Sequence, residues 1–176
     1  MDEEIRARLR KYNSNISISG IFIILYSLWI TIKYFLSITY GPDSFKDNFD
    51  LTESEYEEIK FILYWIFGVL LFIAILFHVR IGLGGIRFGQ LYADSSSSLI
   101  GKEGRIKKKG FIKWAIIYLV ITLMGLPSDI IGLKNLNTID TAVVTLALDI
   151  TLSLMLFDMI YSAYKVLQIH KQLKEG

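Results

Sequence analysis

Two stretches of this chain are apolar around the full circumference of a helix, and that closes most soluble folds to it. Residues 16–38 read ISISGIFIILYSLWITIKYFLSI, with Lys33 the single charge, and residues 59–77 read IKFILYWIFGVLLFIAILF, with Lys60 at the edge. A helix on the surface of a soluble bundle keeps a polar face at a 3.6-residue period, and neither stretch has one. Each is long enough to cross a hydrocarbon core about 30 Å thick, which takes about 20 apolar residues. The first run is also too long for a cleaved leader and lacks a small-x-small cleavage site.

Two further segments follow. Residues 141–163 are equally long but carry Asp149 and Asp158. Residues 114–126 are apolar, then meet Pro127, Ser128 and Asp129 before Ile130, Ile131 and Leu133. A membrane helix tolerates proline where neighbours re-satisfy the freed carbonyl, so a full span kinked near Pro127 is expected. The expected fold is an all-α integral membrane protein forming one four-span domain. Its transmembrane helices lie at about residues 16–38, 59–79, 112–133 and 141–163, in two antiparallel hairpins, with a basic loop at 80–111.

Composition agrees. Apolar residues make up 53% of the 176, and the mean hydropathy is +0.46, which excludes disorder and low-complexity folds. The absence of cysteine excludes a disulfide scaffold, a thiolate metal site and a cysteine nucleophile. The abundance of isoleucine fits an AT-rich bacterial genome.

Charge placement predicts the orientation. Lysine and arginine gather on the cytoplasmic side of short loops. Fifteen of them fall before the first span, between the second and third, or after the fourth; three (Lys46, Lys60 and Lys134) fall on the other side. The first outer loop is acidic, with Asp43, Asp47, Asp50, Glu53, Glu55, Glu57 and Glu58. Both termini are expected in the cytoplasm, with the protein multi-pass in the plasma membrane, a bacterial inner membrane. The two hairpins share an outline of basic entry and basic exit, which the same charge rule produces without any duplication.

The loops carry weaker signals. Thr52 with Glu55, or Ser54 with Glu57, has capping-box spacing, so the second helix is expected to start outside the membrane. The acidic loop reads as a solvated cap, with a cation-attracting vestibule as the sharper alternative. Gly82, Gly84, Gly85 and Gly89 lack the spacing of a phosphate loop. Gly85 and Gly89, four apart, suit either a close helix approach or a helix end fraying on the lipid surface. Ser95–Ser98 reads as a flexible linker. Lys102, Arg105, Lys107, Lys108 and Lys109 form a basic cluster beside a span, suited to the headgroups of an anionic inner leaflet and not to nucleic acid.

Ionisable groups within a span are the default functional candidates, because leaving them unpaired in hydrocarbon costs several kcal/mol, on the order of 3 per group. Thr141, Thr145, Asp149 and Ser153 recur every four residues and form a polar stripe on the fourth span. Lys33 lies at a depth from which it can reach Asp149 or snorkel outward. Asp158, nine residues beyond Asp149, points to the opposite face, so the two carboxylates form no dyad. His78, Arg80 and Arg87 are its candidate charge partners. Gly20, Ser27, Thr31 and Tyr34 share a face of the first span that is expected to meet the fourth.

The sequence lacks HExxH, GxSxG and GxGD motifs and has only two histidines, so no enzyme, metal or cofactor is expected. The expected function is that of a small membrane interaction protein: a subunit, regulator or immunity-type factor whose fourth-span stripe docks partner helices. The alternative is a small homo-oligomeric ion or proton channel or transporter using Asp149, with Lys33 and Asp158.

Overall fold

The computed structural model describes residues 3–40, 52–93, 110–132 and 139–175. All but Thr52 lie in helices: α1 (Glu3–Tyr40), α2 (Glu53–Ala93), α3 (Gly110–Gly132) and α4 (Ile139–Glu175). All four are long and apolar enough to cross a membrane. At 1.5 Å per residue, α1, α2 and α4 run to about 55–60 Å and α3 to about 35 Å, so three helices are almost twice as long as a hydrocarbon core is thick. Pro127 lies inside α3, which continues to Gly132.

Residues 80–93, read above as the start of a loop, are the last turns of α2. Four glycines there oppose helix formation by about 1 kcal/mol each relative to alanine, and tertiary packing overrides that preference. A β-carbon on Gly82 would lie 2.5 Å from the carbonyl oxygen of Gly20, and one on Gly89 would lie 2.8 Å from that of Asn13. The α1 and α2 backbones touch along this seam, which is the close approach that small residues permit. The end of α2 is therefore packed, not frayed.

The chain divides into two compact units. The bundle unit (residues 1–24 and 80–176) draws on all four helices. Ile16 and Ile23 of α1, Ile81 and Phe88 of α2, Ala115 of α3, and Leu152, Leu156 and Met159 of α4 are fully buried in it. Gly84 of α2 lies against Phe111 of α3, and Gly85 against Met159 of α4. Phe88 and Phe111 stack with centroids 5.3 Å apart, and α3 packs along α4.

The hairpin unit (residues 25–79) contains the remainder of α1 and most of α2. The Tyr34 hydroxyl donates to the Tyr64 carbonyl at 2.9 Å, and the Tyr64 hydroxyl meets that of Tyr56 at 2.8 Å. Of the two capping boxes the sequence allowed, Thr52 with Glu55 forms. The Thr52 amide donates to the Glu55 carboxylate at 2.9 Å, and the Glu55 amide donates to the Thr52 hydroxyl at 3.4 Å. The reciprocal pair satisfies two amides at the helix start. The apolar stretch of α2 is almost wholly uncovered by protein. Phe61, Trp65, Gly68 and Phe72 line an open apolar groove.

Candidate functional site

The polar residues of α4 divide between two sides of the helix. Thr145 and Ser153 are buried in the bundle unit, and Asp149 between them is half-buried. The Ser153 hydroxyl donates to the Asp149 carbonyl at 2.9 Å, one turn back, so its polar atom is satisfied within its own helix. Asp149 lies within electrostatic range of the Tyr118 phenol on α3. Thr141 lies in α4, but its side chain is outside the described residues.

Nine residues on, Asp158 turns toward α1 instead. Asn15 donates its side-chain amide to Asp158 Oδ1 at 3.4 Å, and the Ser162 hydroxyl donates to the same oxygen at 3.5 Å. Both bonds are long; a strong bond to a charged group is about 2.7–2.9 Å. Tyr12 and Tyr161 meet edge to face beside this contact, centroids 6.3 Å apart.

Two of the three candidate charge partners have other neighbours. Arg80 places its guanidinium 5.9 Å from the centroid of the Trp114 ring, a cation–π arrangement. Arg87 is exposed. Neither makes an ion pair with Asp158 among the described residues. His78 belongs to the hairpin unit, where its Nδ1–H donates to the Ala74 carbonyl at 2.6 Å and its ring lies 5.5 Å from that of Tyr26. Lys33 is half-buried in the hairpin unit, whereas Asp149 belongs to the bundle.

On the α1 face carrying Gly20, Ser27, Thr31 and Tyr34, two residues meet α2. Gly20 meets Gly82 of α2, and Tyr34 meets Tyr64 of α2. The Thr31 hydroxyl donates to the Ser27 carbonyl at 2.8 Å. It is Ser19, one position from Gly20, that reaches α4, at Met155 Sδ. At Gly20 the face meets α2 because glycine on both helices lets their backbones touch.

Sequence reasoning passed over three residues of this region. Asn15 is the nearest polar partner of Asp158. Tyr118 is the α3 neighbour of Asp149. Asn13 is buried with neither of its amide side-chain atoms hydrogen-bonded. The run KYNSNISIS held a signal: asparagine and serine weaken a helix interior, so several in succession point to tertiary use. Lys102, Arg105, Lys107, Lys108 and Lys109 lie outside the described residues, as do Ser95–Ser98 and residues 41–51 of the acidic loop. Among the described residues, no three His, Asp or Glu side chains gather as metal ligands would.

No protein-family model matches this sequence, and no curated protein or solved structure matches it either.

Proposed function

We propose that this chain is a small multi-pass membrane interaction protein, a subunit, regulator or immunity-type factor that docks partner helices through α4. The reading places both termini in the cytoplasm and the protein in a bacterial plasma membrane, with the basic 102–109 segment on anionic headgroups. It is a binding role and not a catalytic one.

The observation that carries it is the division of α4 into two faces. With Thr145 and Ser153 of the polar stripe turned to the bundle interior, the reading moves the docking surface from the stripe to the other side of α4. The other side leaves Val143, Ile150, Leu154, Phe157, Tyr161 and Tyr164 exposed. With Ala147, also exposed, they recur at alternating spacings of four and three, the seam that one helix offers another. This seam is about 32 Å long at 1.5 Å per residue, close to the full hydrocarbon thickness.

Two measurements test the reading. The chain has no cysteine, so single cysteines at Ser54 and Gln168 report orientation in intact cells. An impermeant maleimide should label the first and spare the second; the reverse pattern overturns the topology. A photoreactive side chain at Phe157 should then give one discrete protein cross-link in native membranes, and one at Thr145 should give none. Cross-links to lipid alone at Phe157 would sink the docking role.

A second reading has one observation in its favour. Asp149 is half-buried between α3 and α4 beside a phenol, a pairing that can hold or pass a proton. On that reading Asp149 is the ion or proton site, with Lys33 and Asp158 as further stations.

A further inference from the structure

We infer that the α4 seam takes a partner transmembrane helix carrying a lysine or arginine opposite Asp158. The inference rests on the docking role proposed above and names the partner's chemistry.

Asp158 stands at the edge of the seam: Phe157 is its neighbour in sequence, and Leu154 and Tyr161 lie one turn either side. A carboxylate offers about four acceptor sites on two oxygens. Both donors that reach Asp158, from Asn15 and Ser162, share Oδ1 at 3.4 and 3.5 Å, and Oδ2 receives none among the described residues. Among the described residues no cation of the chain pairs with Asp158. Arg80 lies over Trp114, and Lys165 lies over the Tyr161 ring with its Nζ 5.6 Å from the centroid. On the span expected from the sequence, residues 141–163, Asp158 sits five residues inside the end, about 8 Å deep, and its side chain is too short to snorkel as a lysine does. A carboxylate held there with half its acceptor sites unused is completed by a cation from outside the chain.

The other occupants fit less well. A single acyl chain covers one leaflet, about half of the 30 Å core, whereas the seam runs the whole depth. A second copy meeting this face about a two-fold axis along the membrane normal would bring its own Asp158 to the same depth, setting like charges across the interface. A helix with a basic residue at that depth satisfies both the seam and the carboxylate.

The test uses the full chain in phospholipid vesicles and designed Leu/Ala transmembrane peptides. One peptide carries a single arginine about 8 Å from one end; the controls carry leucine or glutamate there. Flotation with the vesicles comes first. A chain that fails to float overturns the membrane reading, and this inference with it. For a chain that floats, energy transfer between labelled protein and peptide reads association. The arginine peptide should bind at least tenfold more tightly than either control. Asp158→Asn, which keeps an acceptor for Asn15 and Ser162, should erase that preference, and Asp158→Arg should transfer it to the glutamate peptide. Circular dichroism of each variant confirms that it is folded. Equal binding of all three peptides overturns the inference while leaving the docking role standing. So does energy transfer between two labelled copies without peptide that Phe157→Ser abolishes, since a second copy would then own the seam.

Discussion

Gly20 and Gly82 occupy each other's side-chain space. A β-carbon on Gly20 would lie 2.7 Å from the Gly82 carbonyl oxygen, and one on Gly82 2.5 Å from the Gly20 carbonyl oxygen. Such approaches place Cα–H groups against carbonyls and hold two helices backbone to backbone. Gly82→Ala must push α1 away or displace Ile24, whose Cγ1 is equally close. Overpacking costs about 1–3 kcal/mol, offset in part by about 1 kcal/mol of alanine helix propensity. Gly125 has nothing within 4 Å of a β-carbon, so Gly125→Ala isolates the propensity gain. Thermal unfolding in detergent should rank Gly125→Ala above wild type and Gly82→Ala below it. Equal midpoints for the two variants would mean the seam is not close-packed.

Asn13 should be replaceable at a profit in stability. A buried amide with no partner costs about 1–3 kcal/mol, and leucine has a similar volume and no polar atoms. Asn13→Leu is expected to raise the unfolding midpoint. A lowered midpoint would show that the amide has a partner, a bound water being the simplest.

The capping box makes the start of α2 sensitive to acid. The Thr52 hydroxyl, and secondarily its backbone amide, hold the Glu55 carboxyl below its ordinary value of 4.5. A depressed folded value means that this stabilisation is complete above the ordinary carboxylate pKa and is lost as pH falls through the folded one. A carboxyl NMR titration should place Glu55 below the ordinary value of 4.5, and Thr52→Ala should return it to the ordinary range. An unchanged Glu55 titration in that variant would rule the cap out as the cause.

Tyr34 ties the two helices of the hairpin unit through one hydroxyl. Tyr34→Phe removes the donor to the Tyr64 carbonyl and should cost about 0.5–1.5 kcal/mol. The Gly68 notch should not add to it: a β-carbon there stands 3.5 Å from the Tyr34 hydroxyl, ordinary contact. Gly68→Ala is therefore expected to be neutral or mildly stabilising, and a large loss would mean that the packing at Gly68 is tighter than this contact allows.

Asp149 separates the two functional readings. If it carries ions or protons, Asp149→Asn abolishes flux into liposomes at unchanged expression. If the chain is a docking protein, wild type and variant are equally tight. Flux in both would remove Asp149 from any transport path.

Much of this architecture was legible in the chain. Helices over residues 16–38 and 59–79 follow from apolar residues on every face, because only a helix satisfies its own backbone where water is absent. The box at Thr52 and Glu55 was visible because capping is local: both residues sit in one turn, and spacing alone brings their atoms together. The nine-residue gap between Asp149 and Asp158 likewise sends them to different sides of α4, a matter of helical geometry.

What only the tertiary structure decided is which helix each face meets. Gly85 and Gly89 read equally well as a frayed end or a seam, because a missing side chain carries no pattern; the α1 backbone opposite turns it into a contact. The α1 face of Gly20 and Tyr34 meets α2, and Asp158 finds Asn15 across 143 residues of sequence, since packing depends on shape and depth between segments. The sequence by itself determined the helices, their apolar character and their local caps, which rest on backbone hydrogen bonding and on side chains within a turn. Burial of Thr145 and Ser153, and exposure of Leu154 and Phe157 on the other side of the same helix, depended on where α1, α2 and α3 stand around α4.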